Sequence, residues 1–325
     1  MKGRIISIAV AFALLAALVY YSGFDKVVQA VSNADLRILA LAFAMWPLNV
    51  LLRTQRWRYL LGKVGCKPPW WPTIKVFIAS LFLSNVTPGK TGDPLRSVLL
   101  KKVNGDSVAL TLPSVIMERI LDIICLTLIG AVGIIFTATK VQSTFLFWFM
   151  AAIAVYAVGI IAGLYILASE DRIKKFSHLI IRLFSFVPKL KTYAEKMEGF
   201  AENLHSSFAV YSSKRTIAIS LIYSMVLWLF EGFIIYLSFL TLGFHLPYTV
   251  VVTAMCASTL ISVLTFLPGG VGSSEAITTV FIVSVTALTA ADVVAASLIA
   301  RFVSYWVYVV AGTIVLATVN YKYKM

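Results

Sequence analysis

A five-residue pattern, Pro-Gly-x-x-Gly, closes an apolar run twice in this chain, as Pro88-Gly89-Lys90-Thr91-Gly92 and as Pro268-Gly269-Gly270-Val271-Gly272. A helix breaker between apolar segments predicts a helix broken at membrane depth. Irregular backbone survives there only where protein or a watery cavity surrounds it, because unpaired peptide groups are expensive in hydrocarbon. Both motifs are therefore expected to line one site.

Composition fixes the class. With 60% hydrophobic and 13% charged residues and a mean hydropathy of +0.91, the chain cannot bury its apolar surface in a soluble core and must use lipid as solvent. A net charge of +14 would point to nucleic acid in a soluble protein. Here the basic residues cluster between apolar runs, which is the footprint of cytoplasmic loops, so no nucleic-acid partner is expected. Cys66, Cys125 and Cys256 have no CxxC spacing and each sits in or beside an apolar stretch, so they are read as packing residues.

The predicted fold is all-α, a polytopic membrane bundle of six full spans at residues 5–21, 36–61, 108–139, 145–168, 216–242 and 292–319. The first could also be a signal peptide, but no small-x-small site follows it, so a span is favoured. Arg53, Arg56 and Arg58, followed by Lys63 and Lys67, mark the far end of the second span as cytoplasmic. Two segments, 73–86 and 276–288, are too short to cross and are read as arms of re-entrant hairpins, completed by residues 94–103 and 248–267. The stretch 170–215 holds nine Lys or Arg residues and is cytoplasmic. Within it Ile173, Phe176, Leu179, Ile180, Leu183 and Phe184 share one helical face, as in a helix lying at a membrane surface or packed under the bundle. A multi-pass protein of the cell membrane with both termini cytoplasmic follows.

The two motifs stand 180 residues apart, and Ser114-Val115-Ile116 with Arg119 matches Ser297-Leu298-Ile299 with Arg301, the arginines at an offset of 182. One transmembrane domain over 1–325 is thus expected to contain two halves, about 36–139 and 216–319, joined by the connector 169–215. Charge places the hairpins on opposite sides, an inverted repeat of the transporter type, in which broken helices meet near the midplane. Residues 92–95 and 272–275 would be two helix N-termini whose N–H groups favour an anion.

Ionisable residues at membrane depth are expensive and persist where a partner or a function compensates. Here Glu118, Arg119 and Asp122 occupy adjacent turns, Glu231 lies mid-span, Arg301 sits in the last span, and Lys90, Asp93, Arg96 and Glu275 surround the motifs. A polar cavity is one reading, and structural ion pairs of Glu118, Arg119, Asp122, Glu231 and Arg301 that lock the helices together are the other. Gly89-Lys90-Thr91 imitates the end of a nucleotide-binding loop, but Ser84 stands where that loop needs its first glycine. His178, His205 and His245 lack ligand spacing, so no metal and no cofactor is expected.

Thr87-Pro88-Gly89-Lys90-Thr91-Gly92-Asp93 with Arg96, then Glu118-Arg119-Ile120-Leu121-Asp122, then Leu267-Pro268-Gly269-Gly270-Val271-Gly272 with Glu275 resemble, in order and over nearly the whole chain, the signatures of the flippase-like family named after the lysylphosphatidylglycerol synthase transmembrane region. The resemblance implies a domain that moves lipids between leaflets, aminoacylated phosphatidylglycerol in some relatives and polyprenyl-phosphate-linked sugars in others. Relatives that synthesise such lipids carry a transferase domain; the sequence to Met325 shows none, so synthesis is not implied. Membrane lipids are the expected partners, and a glycosyltransferase or lipid-modifying enzyme and an oligomer are compatible with it.

The expected headgroup site joins Pro88, Gly89, Lys90, Thr91, Gly92, Asp93 and Arg96 to Pro268, Gly269, Gly270, Gly272, Ser273, Ser274 and Glu275, with Glu118, Arg119, Asp122, Glu231 and Arg301. In that site Lys90, Arg119 and Arg301 would hold phosphate, and the carboxylates would balance them, bind a basic part of the headgroup or carry protons. The alternatives are a secondary carrier of a soluble anion and a membrane-embedded enzyme acting on lipid phosphate, with Asp93 or Glu118 as acid or base. The enzyme would need a nucleophile or metal set, and none is spaced for it.

Overall fold

The structure, a computed structural model, describes residue 20 and residues 24–137, 141, 143–183 and 204–323. Among these the chain is all helical. A short α1 (Phe24–Ser32) precedes α2 (Leu36–Lys63), whose first turn is capped by Asp35 accepting from the Arg37 amide at 2.8 Å. Helix α3 (Trp70–Val86) runs into a single 3-10 turn, Pro88–Lys90, and α4 (Leu95–Asn104) leaves it. Helices α5 (Val108–Thr137), α6 (Ser143–Leu167) and α7 (Glu170–Leu183) follow. The second half repeats the order with α8 (Lys214–Leu240), α9 (Tyr248–Leu264), the turn Pro268–Gly270, α10 (Ser273–Val285), α11 (Ala290–Arg301) and α12 (Val307–Tyr323). Thr289 and Asp292 cap α11 reciprocally, Thr289 N donating to Asp292 Oδ2 at 2.9 Å and Asp292 N to Thr289 Oγ1 at 3.3 Å.

Among the described residues five helices are long and apolar enough to cross a membrane: Leu36–Lys63, Val108–Thr137, Ser143–Leu167, Lys214–Leu240 and Ala290–Thr318. They correspond to five of the six expected spans; apart from Tyr20, the sixth, at 5–21, lies outside the described residues. The last span is not a plain α-helix. A π-helical segment, Phe302–Trp306, interrupts it directly after Arg301, and such segments form where a helix accommodates an extra residue, often at functional sites.

The helices that lead into the two Pro-Gly turns each pack on a span distant in sequence. Helix α3 packs along α12, and α9 packs along α5, while α2 lies against α8 and the two Pro-Gly turns touch each other. Glycine makes both cross-half approaches close. A Cβ on Gly312 of α12 would collide with Phe82 and the Ile78 carbonyl of α3, and one on Gly133 of α5 with Thr253 of α9. Small residues at such crossings are how helices bring their backbones together in lipid, where water supplies no driving force.

The connector helix α7 is partly docked. Ile173 is buried with Leu167 and Leu204, whereas Phe176 and Leu179 on the same face are 45% and 51% exposed. The Ile180 and Leu183 side chains and Phe184 lie outside what the structure describes. All three cysteines are buried and unbridged, as packing residues should be.

Candidate functional site

Both Pro-Gly turns use one backbone device, two successive residues in the left-handed region. In the first these are Gly89 (φ 59°) and Lys90 (φ 57°); in the second, Gly269 (φ 59°) and Gly270 (φ 62°). Thr87 locks the first turn, its hydroxyl donating to the Leu83 carbonyl at 2.8 Å while accepting from the Gly92 amide at 2.7 Å. Gly92 itself is pressed onto α3, where a Cβ would strike the Leu83 carbonyl.

The helix tips differ from expectation. The amides of Asp93, Leu95 and Arg96 donate to the carbonyls of Lys90, Gly92 and Asp93 at 3.1, 3.0 and 3.1 Å, and Pro94 has no N–H to offer. At the second turn the Gly272 amide is taken by Glu275 Oε2 at 2.9 Å. Tight local turns thus satisfy the amides of Asp93, Leu95 and Arg96 at the first tip, and a capping carboxylate takes the Gly272 amide at the second, while cationic side chains add to the positive character of the site.

Between the turns lies a cavity of about 190 Å³. Of the expected residues, Gly89, Lys90, Asp93, Arg119, Glu231, Gly269, Gly270, Ser274, Glu275 and Arg301 line it. Pro88 and Pro268 open the two turns. Thr91, Gly92, Arg96, Glu118, Asp122, Gly272 and Ser273 are not in its wall. Three of these form a buried lattice behind it. Arg56 Nε donates to Glu118 Oε1 at 3.1 Å, and its two terminal nitrogens grip Asp122, one of them also reaching Ser224 Oγ at 2.8 Å. Arg96 holds the other oxygen of Glu118 and stacks on Trp57 at 4.4 Å, and Trp228 Nε1 donates to Asp122 at 2.9 Å. The structural ion-pair reading therefore describes Glu118 and Asp122, and Arg96, outside that expected set, joins them, so that the lattice ties α2, α4, α5 and α8 together.

Sequence reasoning missed Arg53 and Arg56. Positive-inside counting assigned them to a cytoplasmic helix end, yet they are 8% and 0% exposed inside the bundle. Arg53 Nη2 donates to Glu231 at 3.0 Å, Asn49 Nδ2 donates to the same oxygen at 2.9 Å, and Asn49 Oδ1 accepts from Arg53 Nε and from the Tyr308 hydroxyl. The signal was present: Asn49, Arg53 and Arg56 stand at i, i+4 and i+7, a polar stripe on an apolar helix. Ser258, Thr259, Ser262, Ser297, Ser304, Tyr305 and Tyr308 also line the cavity and were not foreseen, small hydroxyls being unremarkable in any one span.

Arg301 is held by four hydrogen bonds. Arg301 donates from Nε to Glu275 Oε1 at 2.7 Å, from Nη1 to the Gly269 carbonyl at 2.8 Å, and from Nη2 to the Gly270 carbonyl at 3.0 Å and to Ser274. Its first-half counterpart is loose. Arg119 lies 3.4 Å from Asp93 Oδ2, an ionic contact without a hydrogen bond, and 3.0 Å from Asp122. Buried Arg119 Nε and Asp93 Oδ2 have no hydrogen-bond partner, and Lys90 Nζ has neither a hydrogen bond nor a carboxylate within ion-pair distance, among the described residues.

Residues 4–312 match the lysylphosphatidylglycerol synthase TM region. The chain belongs to that family, and it is a multi-pass membrane protein. It is similar to a UPF0104 membrane protein of Methanothermobacter thermautotrophicus, 27% identical over 94% of this chain and 90% of that one. A UPF0104 membrane protein of Pyrococcus horikoshii is 23% identical over 94% of both. The glycosyltransferase AglD of Haloferax volcanii is 24% identical over 92% of this chain but only 51% of its own length.

Proposed function

We propose that the protein is a lipid carrier that moves an anionic phospholipid or a polyprenyl-phosphate-linked lipid between the leaflets of the cell membrane. The headgroup enters the cavity between the two Pro-Gly turns while the tails remain in the bilayer. The observation that carries this reading is the cavity itself: irregular backbone from two half-crossing hairpins meets around a polar pocket lined by four cations, the arrangement that substrate sites of broken-helix transporters use. The reciprocal packing of α3 on α12 and α9 on α5 supports two halves related by an in-plane axis, and basic loops support cytoplasmic termini. Alternating opening of the hairpins against the opposite closing spans would expose the headgroup to each side in turn.

The name of the family supports a lipid cargo. The match to 51% of the length of the Haloferax glycosyltransferase AglD supports a working partnership with a glycosyltransferase or lipid-modifying enzyme. In the cavity wall Ser274 Oγ donates to Glu275 Oε2 at 3.0 Å, but that carboxylate is already engaged by the Gly272 amide at 2.9 Å and by Arg301 at 2.7 Å, so the pair serves to lock the turn, which favours a carrier over an enzyme.

The test is reconstitution into vesicles with tail-labelled fluorescent lipids and a membrane-impermeant quencher. Protein-dependent loss of the protected fraction, with lipids recovered chemically unchanged, is the expected result. An unaltered protected fraction together with uptake of a soluble anion would replace this reading by that of a soluble-anion carrier, and altered lipids would replace it by an enzyme.

A further inference from the structure

The charges around the cavity do not balance. Arg53, Lys90, Arg119 and Arg301 face Asp93, Glu231 and Glu275, so one positive charge remains. The lattice behind adds nothing to the sum, because Arg56 and Arg96 are matched by Glu118 and Asp122. Each arginine of the cavity has a carboxylate against it: Arg53 with Glu231, Arg119 with Asp93 and Arg301 with Glu275. Among the described residues that line the cavity, Lys90 is the remaining cation. An uncompensated charge at membrane depth is costly and marks a functional position.

Its backbone points the same way. Lys90 occupies a left-handed conformation (φ 57°) for which its counterpart in the second turn is glycine (Gly270, φ 62°). A side chain there is strained, and such strain persists at functional sites where something else is gained. Beside it, Arg119 Nε and Asp93 Oδ2 are buried without hydrogen-bond partners among the described residues. The first turn therefore holds a spare charge and polar groups with unused bonding capacity, in the same wall.

From this balance we infer that the cavity selects a headgroup with a single negative charge, a phosphodiester monoanion, and that Lys90 determines the selection. A phosphodiester brings the loaded cavity to neutrality, so it can be enclosed without a charge being left in a dry pocket. A phosphomonoester dianion overshoots by one charge, and a zwitterionic headgroup leaves Lys90 uncompensated. The inference rests on the carrier reading of the same cavity and adds the chemical class of the cargo.

The full chain is tested in phosphatidylcholine vesicles carrying trace tail-labelled phosphatidylglycerol (a phosphodiester monoanion), phosphatidic acid (a phosphomonoester) or phosphatidylcholine (a zwitterion). Binding of the same three probes is measured in detergent. Phosphatidylglycerol should be favoured about tenfold or more, the worth of one charge-assisted contact. Lys90→Gly, which suits the left-handed backbone, should fold normally and lose that preference, and Lys90→Arg should keep it. Equal handling of all three lipids by the wild-type protein, or an unchanged preference in Lys90→Gly, overturns the inference even if lipids cross. Absence of any lipid movement with selective phosphatidylglycerol binding in detergent overturns the carrier reading and leaves the charge match standing. Dimethyl phosphate, a soluble phosphodiester, serves as competitor: competition at the lipid's own concentration assigns the site to free diesters and again removes only the carrier reading.

Discussion

The two Pro-Gly turns share a backbone and an acid–arginine pairing and differ in how tightly that pairing is made. Each puts two successive residues in the left-handed region, and each sets a carboxylate against an arginine from the span that closes its own half. In the second turn that pair is a fixed frame, with Glu275 and Arg301 at 2.7 Å and the arginine also pinning two carbonyls of the turn. In the first the pair is open at 3.4 Å, and a lysine stands where the second turn has glycine. The same backbone device is thus closed by bonds in the second turn and left open in the first. A closed frame resists displacement; an open one has bonds to give.

The largest expected effect breaks the frame. Arg301→Ala leaves Glu275, 2% exposed, as an unpaired buried carboxylate, at a cost of about 3–5 kcal/mol. Arg119→Ala should cost about 1–2 kcal/mol, since Asp122 keeps Arg56 and the wild-type arginine stands 3.4 Å from Asp93, too far for a strong bond. Thermal unfolding of the purified variants in one detergent reads the difference; equal losses would mean that the two turns are equally fixed.

Next come the glycines at the matched first positions. Gly89→Ala and Gly269→Ala both place a methyl group on a left-handed residue, about 1–2 kcal/mol each. Only the second also meets a buried wall. The new Cβ at 269 would collide with the Tyr305 ring, 8% exposed and hydrogen-bonded to the Asn85 carbonyl, whereas at 89 it would lie 3.0 Å from the Phe266 ring, which is 63% exposed and free to swing. Overpacking adds about 1–3 kcal/mol at 269 alone. The same unfolding measurement should rank Gly269→Ala below Gly89→Ala, and the reverse order would show that Phe266 is the more firmly held ring.

Much of this frame was legible in the chain because bilayer thickness dictates run length. Residues 36–61, 108–139, 145–168 and 216–242 became helices Leu36–Lys63, Val108–Thr137, Ser143–Leu167 and Lys214–Leu240. The offset of 182 between Arg119 and Arg301 is also that between Asp93 and Glu275, so the recurring ion pair was visible in the numbering. Pairing across helices was not. Arg53 and Arg56 count as loop charges in any tally that ignores burial, and only their stripe with Asn49 distinguishes them. The satisfied tip at Gly272 could have been anticipated, since a glutamate three residues after an N-cap commonly folds back on its amide. The π segment at Phe302–Trp306 left no signal that hydropathy detects, because one extra residue in a turn does not change how apolar the run is.

The smallest expected effect is the one with an unusual sign. Lys90→Gly removes a side chain from a residue at φ 57°, which relieves about 1–2 kcal/mol of left-handed strain. Against this, glycine loses more backbone freedom on folding, about 0.5–1 kcal/mol. The variant should therefore unfold at the same temperature as the wild type or slightly above it, a net gain of about 0.5 kcal/mol. A lysine engaged in a stabilising pair would give a clear loss instead. Stability that holds or rises while binding selectivity disappears would separate the first turn's two properties: its backbone resembles that of the second turn, and its charge serves the ligand.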